Sequence, residues 1–396
     1  MKYRHPTEIP KSNIVFDWIG DRIPVSDLRT RGDTYPVTWA SDDLLYTSSG
    51  DPCWFMRDGE PVFVDPNKVT DTVETARLAH GLSIERFIGD AENYTIERVN
   101  DMPRFIGGGG SGPKPCGMIS VNGKLYFAVQ NMLGWKKPLY REKSQHGSDA
   151  TIIMSEDFGK TWTPDLTGAL GILEMNHYTR DVVAKPGWEI APDDINAARD
   201  WQPMFPDSLF GGPSFVQFGK NNSDCIDDYV YAVSGDQWDN GKNLRLGRVR
   251  SDMILDKNSW EFLSGLHDGK PSWNTEIESS VPILSIDRHI SLPEMVFIKS
   301  IRKFLLLTWA FHNDFNSKTG SELTILESDA PWGPYSLIHY EWMWHNSSIC
   351  AYTPRIPLKW FDQELLEGYV LHSGNWEDFL PYYMPHIKKF KLKIRE

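Results

Sequence analysis

Apolar positions in this chain come in short runs set off by clusters of Gly, Pro, Asn and Asp, and seldom at helical spacing. Such runs predict β-strands joined by turns. Helix is expected only over 71–80 and 193–201. The clearest strand pair lies between Asp33 and Asp51, with strands over 36–40 and 44–48 around the turn residues Ser41, Asp42 and Asp43. Asp33 precedes the first strand and Asp51 follows the second. Antiparallel pairing brings both acids to the same end of the pair.

The pattern recurs five times. First strands are expected over 36–40, 116–121, 214–218, 294–299 and 355–360, each led by a proline (Pro36, Pro115, Pro213, Pro293, Pro354). Each is followed by an aromatic-rich second strand, and these end at Asp51, Asn131, Asp236, Phe311 and Asn375. Third and fourth strands are readable at 151–154 with Thr161-Trp162, at 244–249 with 260–263, and at 323–327 with 335–339. Serial units that cannot bury their faces alone predict an all-β fold, a five-bladed β-propeller with four-stranded antiparallel blades. One domain over 1–396 is expected, its blades starting near 36, 115, 213, 293 and 354. Long inserted loops fall at 133–147 and 166–210. A β-sandwich is the alternative, but five Pro-led strand pairs divide awkwardly between two sheets.

Composition narrows the partners. With 40% hydrophobic and 24% charged residues the chain is globular. A net charge of −13 argues against nucleic acid and against an anionic membrane surface. The 16 Trp, 15 Tyr and 19 Phe exceed what a small site needs, so most are core, but flat rings also stack on sugars. Cys53, Cys116, Cys225 and Cys350 are too far apart in sequence for a zinc motif, and no metal or cofactor is expected. No run is long enough for a membrane helix, and the start shows no apolar signal core.

Ser155-Glu-Asp157-Phe-Gly159-Lys-Thr161-Trp162 fits the Asp-box pattern, in which Asp caps a tight turn, Gly takes a positive φ and Trp packs beneath. It is expected to be structural. Sialidases share the Asp box, and Arg355-Ile-Pro is similar to a sialidase motif. It lies in the last unit here, however, whereas sialidases carry it before their first Asp box.

A broader resemblance covers most of the chain. It rests on the stretch from Gly32 to Asp51, on Gly112-Pro-Lys-Pro-Cys-Gly-Met118, on Ser214-Phe-Val-Gln-Phe-Gly219 and on Trp238-Asp-Asn-Gly241. Ala330-Pro-Trp-Gly-Pro334 and Thr353-Pro-Arg-Ile-Pro-Leu-Lys-Trp360 complete it. In content and order these resemble the bacterial family long called domain of unknown function 4185, which includes glycoside hydrolase family 183, the endo-D-arabinanases. The resemblance implies a five-bladed propeller, a glycan substrate and an extracellular or periplasmic location; a monomer is expected.

Glycoside hydrolysis needs two carboxyl groups, one protonated and one ionised. Asp33 is expected as the ionised base or nucleophile and Asp51 as its partner, with Glu294 at the head of the fourth unit as a further catalytic acid. Asp17, Asp236, Glu276 and Glu278 are other candidates. Lys114, behind a Gly-rich run without Walker spacing, is expected to reach a substrate hydroxyl or carboxylate. Trp39, Trp238, Asp239, Trp309, His312 and Tyr352, with His345, are candidate sugar contacts. The expected function is a glycoside hydrolase acting on a polysaccharide, possibly a furanoside polymer such as arabinan. The alternatives are a non-catalytic carbohydrate-binding propeller, or a lyase in which Lys114 or Arg355 neutralises an acidic sugar.

Overall fold

Lys303–Phe311 shows how the chain makes its layers. Leu305, Leu307, Trp309 and Phe311 enter one hydrophobic cluster, while Phe304 and Leu306, on the opposite face, enter another. A strand apolar on both faces is a strand sandwiched between neighbouring sheets, and the period of two sorts its residues between the two cores.

The computed structural model describes residues 1–24, 31–52, 54–57, 60–63, 82–102, 114–132, 139–140, 147–164, 173–175, 182–184, 202–313, 319–345, 349–375 and 382–395. The helices expected over 71–80 and 193–201 lie outside them, as do the Gly run before Lys114 and much of the two long loops.

The fold is all-β, with sheets in a propeller-like arrangement. The first sheet runs Val37–Trp39, Leu45–Gly50, Leu82–Asp90, Asn93–Met102. The second has three strands, Lys114–Val121, Lys124–Gln130 and Thr151–Ser155. The third opens with Pro213–Phe215, Tyr229–Gly235 and Gly241–Arg250 and grows to seven strands. Leu284–Ile290 and Glu261–His267 both pair with Gly241–Arg250, and the N-terminal Lys2–Tyr3 adds in parallel to Leu284–Ile290. The fourth is Glu294–Ile298, Lys303–Phe311, Ser321–Ser328, Ser336–Glu341. The last is Tyr352–Arg355, Glu367–Ser373, His386–Ile394, completed by Ile14–Pro24 from the start of the chain.

Among the described residues four units, not five, reach four strands. At the second sheet's outer edge Thr161-Trp162 forms no strand. Asp157 instead holds a tight turn, accepting from Thr161 N at 2.9 Å and Thr161 Oγ1 at 2.7 Å, and only a single bridge joins Met154 to Thr163. The last opening strand begins at Tyr352 and ends at Arg355, so 355–360 was expected too late; Leu358–Trp360 is a 3₁₀ turn.

The opening strands stand side by side. Lys114–Val121 packs against Val37–Trp39 and Pro213–Phe215, Pro213–Phe215 against Glu294–Ile298, and Glu294–Ile298 against Tyr352–Arg355. Arg355 closes the circuit by donating from Nε to Thr34 O at 3.4 Å. The approach is so close that a Cβ on Gly117 would lie 2.5 Å from Pro213 O. This ring of strand starts positions the site.

Candidate active site

Asp33 and Gly50 exchange two backbone hydrogen bonds, Asp33 N to Gly50 O at 3.0 Å and Gly50 N to Asp33 O at 2.9 Å. They extend the first hairpin beyond its regular ladder and place Asp51, the next residue, beside Asp33. A side chain at Gly50 would intrude, since its Cβ would sit 2.9 Å from Asp33 Oδ1. Lys114, first residue of the second sheet's opening strand, forms an ion pair through Nζ with Asp51 Oδ2. The sequence reading put Asp33 and Asp51 at one rim; the structure brings them together there and adds Lys114, which the sequence reading expects to reach substrate.

The Asp33 carboxyl is buried. Thr34 Oγ1 donates to Oδ1 at 2.8 Å and Tyr352 OH donates to Oδ2 at 3.1 Å. Burial raises its pKa from 3.8 to about 6; Lys114 opposes the rise, Asp51 adds to it, and the bonds from Thr34 and Tyr352 oppose it. The sequence reading assigns Asp33 the ionised role, and burial pulls its pKa the other way. Burial favours the protonated form of Asp33, while the contact with Lys114 falls on Asp51.

The backbone here is bent into a sparsely populated region. Thr34, Tyr35 and Asp51 have φ of 78°, 34° and 47°, and Cys350 and Thr353, beside Tyr352, have φ of 42° and 51°. Each such residue costs on the order of 1–3 kcal/mol, and a β-branched threonine is among the least suited. The strain is held in place by Thr34 N donating to Ser373 Oγ at 2.8 Å and by Thr353 Oγ1 with the same Ser373 Oγ at 2.9 Å.

Glu294 heads the fourth sheet's opening strand. Its Oε2 accepts from Ile356 N at 2.5 Å, four residues further along the chain than Tyr352. Burial raises it from 4.5 to about 7 against the pull of Arg355. Arg355 is 1% exposed and donates to Pro293 O at 2.9 Å and Ser214 Oγ at 3.2 Å. Glu294 and Arg355 are thus both buried between opening strands and influence one another electrostatically. Arg355 is too enclosed to meet a substrate carboxylate, which removes it from the lyase and sialidase readings.

Three expected sugar contacts are core. Trp238, Trp309 and Tyr352 are 3%, 0% and 0% exposed and pack edge-on or tilted, with centroids 5.1 to 5.7 Å apart. Tyr352 acts through its hydroxyl on Asp33 rather than as a platform. Asp239 is fully buried. Trp39 lies at the other end of the first hairpin, its Nε1 donating to Asp43 at 2.9 Å in the turn. Asp236 is buried as well and accepts from Lys242 N at 3.0 Å and from Tyr140 OH. Asp17 is paired with Lys393 at 2.7 Å, and Glu276 and Glu278 are exposed. His345 joins His372 at 3.0 Å between ring nitrogens, beneath Trp18 and Trp344. His312 lies at the rim. Thr34 and Ser373, which shape the Asp33 corner, were not singled out from sequence; the Gly32-Asp33-Thr34 turn signal was the one available clue.

No protein-family model matches the chain, and no curated protein matches it. Among solved structures it is similar to an alpha-L-arabinofuranosidase from Podospora anserina in complex with cellotriose, at 10% identity and TM-score 0.46, over 96% of this chain and 98% of that one. It is also similar to the catalytic domain of the Coprinopsis cinerea GH62 alpha-L-arabinofuranosidase, at 11% identity and TM-score 0.47, over 96% and 98%. A third is a xylan beta-1,4-xylosidase from Bacillus halodurans C-125, at 12% identity and TM-score 0.47, over 93% of this chain and 54% of that one.

Proposed function

We propose that this chain is a glycoside hydrolase that cleaves a polysaccharide with Asp33 and Asp51. One observation carries the reading: the double hydrogen bond between Asp33 and Gly50 sets two carboxyl groups side by side where the opening strands begin, with Lys114 on one of them. Buried Asp33, raised to about 6, holds a proton below about that pH and delivers it to the leaving glycosidic oxygen. Asp51, held in place by Lys114, is the second carboxyl group. It serves the anomeric carbon as nucleophile or as base to a water, according to the spacing of the two carboxyl groups around the bound sugar. Tyr352 and Thr34 position Asp33 and moderate its pKa. Glu294 is assigned to the buried core with Arg355 and not to the reaction.

The finer reading follows the sequence motifs. Their order supports membership of the domain of unknown function 4185 family, a furanoside polymer such as arabinan as substrate, and an extracellular or periplasmic site of action. Purified protein is incubated with arabinan, arabinogalactan and xylan, and products are read by thin-layer chromatography. Oligosaccharide release from one of them is expected. No release from any, by protein shown to be folded, contradicts the reading.

A further inference from the structure

Trp342 is the most exposed tryptophan among the described residues, at 55%, and it follows directly on the last strand of the fourth sheet, Ser336–Glu341. Its indole is not loose. The His312 ring stacks on it with centroids 3.9 Å apart and planes 12° from parallel. His312 is itself pinned, with Nδ1 2.8 Å from Thr319 O and Nε2 2.5 Å from Trp342 O. One indole face is covered by the imidazole, and the exposure belongs to the other. A large apolar ring held rigid and open to water carries a standing hydration cost, and Met343 beside it is 37% exposed.

The position is linked to the candidate active site through the core, by Tyr352 and Phe311, which are 0% and 2% exposed. Asp33 bonds Tyr352, the Tyr352 ring packs on Phe311 with centroids 6.0 Å apart, and His312 follows Phe311 at the end of Lys303–Phe311. Strand ends at this rim put Trp342 on the same end of the sheets as Asp33, several side chains away. Tyr352, Phe311 and His312 stand between them.

We propose that Trp342, backed by His312, is a distal subsite that stacks on a sugar ring of a glycan chain whose scissile bond lies at Asp33 and Asp51. This rests on the hydrolase reading above and deepens it: the substrate is a chain of several residues, not a terminal monosaccharide unit. A flat ring with one free face suits the C–H face of a sugar, and its rigidity means little entropy is lost on stacking.

The test is equilibrium binding by the full chain, followed by calorimetry and tryptophan fluorescence. The probes are linear arabino- and xylo-oligosaccharides of graded length, used in the Asp33→Asn background so that no turnover intervenes. Affinity is expected to rise with length. Trp342→Ala should remove about tenfold from the longest probes, and Trp342→Tyr should restore it. An unchanged length dependence in Trp342→Ala overturns the subsite, as does absence of binding to every probe. Length-dependent binding lost in Trp342→Ala, together with no hydrolysis of any polymer by the wild-type chain, keeps the subsite and rejects the hydrolase reading. Hydrolysis with a Trp342-independent length response does the reverse.

Discussion

The hydroxyl of Tyr352 donates to Oδ2 of Asp33 at 3.1 Å, across 319 residues of sequence. The contact joins the last sheet to the first at the proposed catalytic acid. It also lowers the Asp33 pKa, against the larger upward effect of burial.

Tyr352→Phe removes that donor and little volume. The Asp33 pKa should rise further, so the alkaline limb of the pH–rate profile, set by loss of the acid's proton, moves to higher pH. Stability should fall by about 1–3 kcal/mol, the cost of a lost hydrogen bond to a buried carboxyl. The profile of kcat/KM against pH is the measurement, and an unmoved alkaline limb contradicts the assignment of Tyr352.

Stability itself should carry the signature of two buried acids. Asp33 and Glu294 are raised from 3.8 and 4.5 to about 6 and about 7. A group whose folded pKa lies above its unfolded value contributes stability that is fully present below the unfolded pKa and is lost as pH rises through the folded one. The window is therefore from about pH 4 to about pH 7, and each shift corresponds to something on the order of 3 kcal/mol. Denaturant unfolding of Asp33→Asn and Glu294→Gln across that window should each show a shallower fall with rising pH than the parent. Parallel curves would contradict the raised values.

Arg355 and Glu294 should behave as a unit. Arg355→Met removes the cation that holds the Glu294 pKa down, so the carboxyl should keep its proton to a still higher pH. With Glu294→Gln already present there is no carboxyl to respond, so Arg355→Met should cost a different amount there than in the parent. Simple additivity of the two losses, measured by urea melts, would show that the two side chains do not depend on one another.

The strand starts were legible because each is marked by a proline and an apolar run. Val37–Trp39, Lys114–Val121, Pro213–Phe215 and Glu294–Ile298 begin within two residues of where the sequence put them. The convergence of Asp33 and Asp51 was legible too, because pairing direction alone fixes which ends of two adjacent strands meet. Long-range closure was not. Ile14–Pro24 alternates Ile14 and Phe16 inward, but nothing local says that its partner is His386–Ile394 at the other end of the chain. The tryptophans were misread for a related reason. Trp238 and Trp309 sit in polar or strand contexts that suit a rim, and only the packed neighbours show them to be core, whereas Trp342 is one aromatic in a run of several. Burial of Asp33 and the placing of Lys114 on Asp51 were likewise out of reach, since both are tertiary facts.

Turnover by Asp33→Asn tests the central claim most directly. The amide keeps the size of the carboxyl and can still accept from Thr34 or Tyr352, but it cannot give up a proton to a leaving group. Single-turnover kinetics and equilibrium binding are measured on the polymer that the wild-type chain degrades. Binding within about threefold of wild type and turnover reduced by roughly a hundredfold or more is the predicted result. Wild-type-like turnover in folded Asp33→Asn would contradict it.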